Sequence, residues 1–426
     1  MTPQIKQRIE QIRRGEVPAG YKKTKVGVVP NEWEETRFKK MFSRLSRKNK
    51  ENNDNVLTIS AQYGLISQRD FFNKDIASDD KSNYFLLHKG EFAYNKSYSN
   101  GYPFGALKRL DMYDKGIVSP LYICFSANEN NECPDFYVHY FEAGMMNREI
   151  QAFAQEGARN HGLLNISVDD FFNSYLLMPP RPEQEKIAEI LSAQNKLIAL
   201  KEKLVEEKKR QKKALMQQLI TGKKRLPGFS EDRVSLRLKQ VAERITRKNA
   251  IANNNVLTIS AQYGLINQFE FFDKEIASED KSNYYLLMQN EFAYNKSYSA
   301  NYPFGAIKKL TRYDMGIVSP LYICFRIVGN EVSTEYMEHY FEAGLMNSEI
   351  QSFAQEGARN HGLLNISVED FFQSKIVIPP YEEQIAIAKI LSSIAQEIDL
   401  LQQTLEQEKR KKKALMQLLL TGIVRV

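Results

Sequence analysis

The feature that most constrains this chain is that it repeats itself. VLTISAQYGLI begins at Val56 and again at Val256, EFAYNKSYS at Glu91 and Glu291, and FAQEGARNHGLLNISV at Phe153 and Phe353. About 70% of positions match between residues 53–180 and 253–380, in register and without a gap. Self-similarity of this kind means that whatever one copy folds into, the other folds into as well. A chain of 426 residues suits two domains of about 150 residues each plus connecting material.

Each copy reads as α+β. VLTIS and GIVSPLYICF are rich in β-branched and aromatic residues and predict strands, while apolar spacing from Tyr140 to Phe153 predicts a helix. The Gly-Tyr-Pro and Gly-Ala-Arg-Asn-His-Gly segments break both periods and predict loops. A second kind of segment follows each copy. It opens after Pro179-Pro180 and Pro379-Pro380, pairs that stop the preceding strand. Ile187, Ile190, Leu191, Leu197, Ile198, Leu204, Val205, Leu215 and Leu219 then recur at threes and fours, as do Ile387, Ile390, Leu391, Ile398, Leu405, Leu415 and Leu419. Thr221-Gly222 and Thr421-Gly422 close the two helices, with glycine where a helix end favours a left-handed residue. Each helix of about 37 residues spans roughly 55 Å. One apolar stripe per helix calls for a partner, and two copies of one unit satisfy each other as an antiparallel coiled coil about a pseudo-two-fold axis.

The expected boundaries are an N-terminal helix and lead-in over 1–35, a first domain over 36–180, a helical region over 181–222, a linker over 223–235, a second domain over 236–380 and a second helical region over 381–426. Hydrophobic residues at 42%, with 24 Phe and 22 Tyr, supply packed cores and argue against disorder. No apolar run approaches the ~20 residues of a membrane span, so a cytoplasmic protein is expected. Cys124 and Cys324 sit in identical LYICF strands and Cys133 has no counterpart, which suits reduced packing residues and neither a disulfide framework nor a zinc site. The net charge of +7 is a moderate bias. Its placement says more, because basic pairs recur at Arg47-Lys48 and Arg247-Lys248 and at Lys212-Lys213 and Lys412-Lys413.

The layout resembles the specificity subunit of type I restriction-modification systems, in which two target recognition domains alternate with two conserved helical regions. The resemblance spans nearly the whole chain. It is carried by Pro179-Pro180 with Glu183-Gln184, Pro379-Pro380 with Glu383-Gln384, the KKALMQ helix endings from Lys212 and Lys412, and the RLPGF junction from Arg225. It implies a non-catalytic subunit that reads a bipartite site on double-stranded DNA, one half per domain. It also implies two methyltransferase subunits bound through the helical regions, endonuclease/translocase subunits in the full complex, and S-adenosylmethionine bound by the methyltransferase rather than by this chain. The family usually carries two unlike domains. Here they are near-duplicates, so an interrupted palindrome is expected.

The residues themselves point the same way. Ile378-Pro379-Pro380-Tyr381 only superficially resembles an adenine-methyltransferase motif, because Ile replaces the polar residue and the other copy reads Met178-Pro179-Pro180-Arg181. No phosphate-cradling loop occurs, and Glu206 and Lys208 lie on the charged face of a helix. Base reading needs paired donors and acceptors, which three loop-like segments supply. They hold Gln62 and Tyr63, then Asn95, Lys96 and Tyr98, then Arg159, Asn160 and His161, and recur as Gln262, Tyr263, Asn295, Lys296, Tyr298, Arg359, Asn360 and His361. Each residue has a bland alternative as a turn hydrogen bond or a phosphate contact. Arg47, Lys48, Arg247 and Lys248 suit phosphate anchoring or a solvated charge run, and His139 and His339 suit packing. A contrasting reading is a structural adaptor whose repeated domains bind proteins and whose helices space them.

Overall fold

The structure is a computed structural model that describes residues 2–60, 64–72, 80–98, 101–130, 133–156, 164–260, 263–274, 280–297, 302–356 and 364–426, with backbone alone at 72, 155, 156, 355 and 356. It divides into two compact units. Unit 1 comprises Met1–Glu202 with Thr404–Val426, and unit 2 comprises Lys203–Gln403. Each unit therefore owns the first half of one long helix and the last half of the other.

In unit 1 a four-stranded antiparallel sheet runs in the order Phe42–Leu45, Ile123–Ala127, Phe92–Asn95, Ala106–Arg109. Side chains alternate across a strand, so Phe92 and Tyr94 face one way and Ala93 the other. Phe92 lies opposite Phe125 and Ala93 opposite Cys124. The aromatic face carries Phe42, Phe92 and Phe125 and packs on Phe38 and Phe171 of two short helices and on the helix Pro134–Glu142. The Phe92 and Phe125 rings stack at 5.2 Å, and each fully buried aromatic contributes about 1.5–3 kcal/mol. The reverse face packs Leu57, Leu65, Leu87 and Cys124 into a smaller core. All three cysteines are free and buried, and burial pushes the Cys124 and Cys324 thiols up to about 12. They are packing residues, as their strand context implies. Unit 2 repeats the sheet with Ala242–Arg244, Ile323–Ile327, Phe292–Asn295 and Ala306–Lys309.

Two expectations change. GIVSPLYICF is two strands, because Pro120 sits in a turn closed by the Tyr122 amide donating to the Ser119 carbonyl at 3.0 Å. Lys115–Val118 pairs with Phe85–His88, and Ile123–Ala127 enters the main sheet. The apolar run from Tyr140 to Phe153 is likewise two helices, Pro134–Glu142 and Asn147–Phe153. Gly144, at φ +70°, makes the break, and a Cβ there would meet the Asn147 side chain at 2.7 Å. The periodicity runs through because Tyr140, Phe141, Met146 and Ile150 all enter one core.

The long helices cover Arg181–Ile220, of 40 residues, and Tyr381–Leu419, of 39. Within unit 1, Ile187 and Leu191 share a core with Met416, Leu419 and Leu420. Farther along, Gln194 and Lys201 reach Glu408 at 2.9 and 3.1 Å, and Glu202 pairs with Lys409 at 3.0 Å. Rising numbers on one segment meet falling numbers on the other, so the packing is antiparallel. Unit 2 has the same arrangement, with Ile387 and Leu391 against Met216, Leu219 and Ile220, and Lys208 on Glu397 at 2.7 Å. Gly222 and Gly422 follow the helix ends at φ +77° and +69°. Among the described residues no helix is long and apolar enough to cross a membrane.

The Pro-Pro-x-x-Glu-Gln motif is a structural joint. The strand Tyr175–Met178 pairs with Glu34–Arg37 and ends at the prolines. Gln184 then donates to the Pro179 carbonyl at 2.8 Å, and Gln384 does the same to Pro379. Buried Glu183 accepts from Trp33 Nε1 at 2.9 Å and from Arg425 Nε at 2.6 Å. Buried Glu383 is gripped by Arg225 through Nε at 2.8 Å and Nη2 at 2.5 Å.

Candidate nucleic-acid interface

The segment YNKSYS leaves the end of the strand Phe92–Asn95 and returns as Ala106–Arg109. Its roots are held tightly. Tyr94 is buried against Phe171 with rings stacked at 5.1 Å, and its hydroxyl donates to the Phe104 carbonyl at 2.6 Å. That burial pushes the phenol well above its ordinary pKa. Gly105 has φ +77°, and a Cβ there would fall 2.3 Å from the Asn95 carbonyl. Only glycine lets the returning chain pass that close. Asn95 accepts from the Ser97 amide at 3.0 Å, and Asn295 repeats the turn at 3.1 Å.

The Lys96 carbonyl accepts from the Leu164 amide at 3.1 Å, and Lys296 from Leu364 at 3.1 Å. This bond ties YNKSYS to the strand Leu164–Asn165, and the GARNHG segment before that strand lies outside the described residues. The Lys96 side chain is half-buried, and burial lowers its pKa, as it does for Lys296. Among the described residues Lys96 meets no carboxylate, whereas Lys296 Nζ donates to the Ile366 carbonyl at 3.5 Å. A cation held partly out of water without a counterion attracts an anion such as phosphate. Tyr98 stands 63% exposed beside it.

The first segment connects the paired strands Leu57–Ser60 and Gly64–Ser67. The second of these lies along Ala106–Arg109, so the pair belongs to the same domain as the YNKSYS root. In unit 2 Tyr263, at 51% exposure, donates its amide to Ser260 Oγ at 3.3 Å. Gln62, Tyr63, Arg159, Asn160, His161, Gln262, Tyr298, Arg359, Asn360 and His361 lie outside the described residues.

The basic pairs have internal partners. Arg47 Nη2 meets Glu91 at 2.6 Å, and Arg247 meets Glu291 at 2.7 Å. Lys48 Nζ donates to the Asn83 carbonyl at 2.8 Å and lies 4.5 Å from the centre of the Phe85 ring. Lys248 does the same with Asn283 at 2.8 Å and Tyr285 at 4.4 Å. These side chains fasten a loop to a strand. His139 is buried with Nε2 3.0 Å from Ser192 Oγ, and burial, then Lys412, hold its pKa down to about 4. His339 matches it against Ser392 at 3.1 Å. Both histidines seat the domain on its helix. Lys412 of KKALMQ opens onto a cleft of about 720 Å³ in unit 1 that Lys108 and Glu142 also line. Sequence reasoning missed the anchors Tyr94 and Gly105, whose only signal was identity in both copies, shared with most neighbours. Among the described residues no group of His, Cys, Asp or Glu is placed to hold a metal ion.

Two equivalent α+β units, each with a pair of antiparallel helix segments, define a tandem repeat protein. The chain is 23% identical over 422 residues to the MjaX type I restriction enzyme specificity subunit of Methanocaldococcus jannaschii, spanning 95% of this chain and 97% of that one. It is 25% identical over 337 residues to the MjaVIII specificity subunit of the same organism, spanning 73% and 75%. The S subunit of a type I restriction-modification system from M. genitalium has the same fold, with TM-score 0.54 and 12% identity over 91% of this chain and 96% of that one. A chain from a structure of a type I restriction-modification system gives TM-score 0.52 and 15% identity over 93% and 99%. No family model matches the chain. Along nearly its whole length the chain is therefore similar to specificity subunits of type I restriction-modification systems, and it shares the fold of solved members of those systems.

Proposed function

We propose that each unit reads one half of a bipartite site on double-stranded DNA, and that the chain directs adenine methylation and restriction there without doing chemistry itself. The observation that carries this is the duplicated site. Asn95 and Asn295 make the same turn, Lys96 and Lys296 the same backbone bond, and Gly105 and Gly305 the same close approach in both units. Identical side chains on one scaffold select the same bases, so the two half-sites form an interrupted palindrome. The helices carry partners. Each unit leaves leucines of its own helix segments exposed, Leu197 and Leu200 in unit 1 and Leu204 and Leu400 in unit 2, and these apolar side chains suit one methyltransferase subunit per unit. Endonuclease/translocase subunits join through that complex, and S-adenosylmethionine belongs to the methyltransferase.

Methyladenine mapping in cells carrying the chain with its methyltransferase tests this directly. The expected result is one interrupted, palindromic motif; two unrelated half-sequences would assign reading to the positions where the copies differ. Purified complex should bind DNA with affinity that falls steeply as salt rises, whereas an adaptor would be indifferent to DNA. Replacing Arg159 and Arg359 together should weaken specific binding by about 1–3 kcal/mol per half-site and leave methyltransferase association intact.

A further inference from the structure

A half-buried charged triad stands at the foot of the YNKSYS loop in both units. In unit 1 the Tyr102 hydroxyl donates to Glu142 Oε1 at 3.0 Å, and Lys108 Nζ donates to the Tyr102 hydroxyl at 2.9 Å and pairs with Glu142. The ammonium also lies 4.9 Å from the centre of the Tyr102 ring. In unit 2 Tyr302, Lys308 and Glu342 repeat the set, at 3.3 Å for tyrosine to glutamate and 2.9 Å for lysine to tyrosine. The two lysines are only 10% and 11% exposed.

The three members come from three elements. Tyr102 lies in the loop itself, Lys108 in the strand Ala106–Arg109 to which the loop returns, and Glu142 in the last turn of the helix Pro134–Glu142. Burial pulls the Lys108 ammonium down, but Glu142 and Tyr102 more than restore it, so it stays charged. Apolar side chains of similar volume would hold sheet and helix together as well or better. What charge-assisted hydrogen bonds add is direction, because they hold only at one distance and angle. Direction matters for a loop that must present donors to bases, and not for a loop that merely covers a core.

We infer that Tyr102, Lys108 and Glu142, and likewise Tyr302, Lys308 and Glu342, are positioning residues that set the pose of the reading loop in their own unit. The inference rests on the DNA-reading proposal. It also makes use of the duplication, since one unit serves as the internal control for the other.

The test uses the full chain assembled with its methyltransferase in cells, with Glu142→Gln or Tyr102→Phe in unit 1 and unit 2 untouched. Methyladenine mapping should then show a lopsided motif. Discrimination at one or more positions of one half-site falls by roughly tenfold, while the other half-site keeps its wild-type profile. Tyr102→Phe keeps the ring and its packing, so it carries the test if Glu142→Gln does not accumulate. An unchanged motif from folded complex, or equal loss at both half-sites, would overturn the inference and leave DNA reading standing. A wild-type chain that yields no bipartite motif would overturn the reading and the inference together.

Discussion

The two units close the same joint with different covalent structure. In unit 2, Glu383 is held by Arg225, which follows the helix end Thr221-Gly222 in an unbroken chain. In unit 1 the equivalent Glu183 is held by Arg425, almost the last residue, and by Trp33 from near the start. The carbonyls at the helix ends tell the same story. Arg233 donates to the Leu219 and Ile220 carbonyls in unit 2, at 2.8 and 2.5 Å. In unit 1 Tyr21 donates to Gly422 at 2.7 Å, and Arg8 to Ile423. A buried carboxylate and a set of helix-end acceptors must be satisfied in either unit; the arginine on the carboxylate is kept at the same place after Thr-Gly, and the remaining donors change.

The sharpest way to break this comparison is to remove the carboxylate. Glu383→Ala and Glu183→Ala should each cost about 3 kcal/mol, the low end for breaking a buried pair because the arginines can turn toward water. Hydrogen exchange should place each loss in the variant's own unit; loss spread over both would show that the joints are coupled. Arg225→Met should then loosen unit 2 more than Arg425→Met loosens unit 1, since Trp33 still donates to Glu183. Equal effects would mean that Trp33 contributes packing alone.

A second contrast concerns acid. Burial, then Lys412, hold His139 down to about 4, and burial, then Lys212 and Lys309, hold His339 down to about 4, from an ordinary 6.5. Above pH 6.5 both are neutral folded or unfolded, and their burial costs nothing extra. As pH falls from 6.5 toward 4 the unfolded chain takes up protons that the folded one refuses, so stability is lost through that window. The loss is on the order of 3 kcal/mol per histidine. Denaturant melts between pH 7 and 4 check it, and His139→Leu should flatten the response of unit 1 alone.

The smallest effect separates the units at a helix start. Ser333 accepts from the Tyr336 amide at 3.2 Å, while Cys133 makes no side-chain cap. Ser333→Ala should cost about 1 kcal/mol, and Cys133→Ser should gain a similar amount. Thermal melts of the two variants should move in opposite directions; a Cys133→Ser melt that fell would show that packing of the thiol outweighs the cap.

Much of the fold was legible because periodicity is a local signal. The repeat, the two long helices, their prolines and their closing glycines all lie in contiguous sequence. Gly144 escaped because an apolar pattern does not show where the backbone turns left-handed when both flanking helices enter one core. The YNKSYS segment stands out by composition, whereas its tie to the strand Leu164–Asn165 is one backbone hydrogen bond, from Leu164 to Lys96, that no local pattern shows. Arg47 and Lys48 read as phosphate anchors or a solvated charge run, and nothing local reveals that Glu91, Asn83 and Phe85, distant in sequence, approach them.

By itself the sequence determined that this chain is two copies of one α+β unit on long amphipathic helices, with the same loop segments twice, because repetition and helical spacing survive without any knowledge of contacts. Only the tertiary structure decided that each compact unit takes half of each helix, that the Glu-Gln motif is a joint, and that Tyr102, Lys108 and Glu142 meet. Those outcomes depend on side chains far apart in the chain satisfying one another's charge and hydrogen bonds in a buried place, and that constraint acts only once the chain has folded.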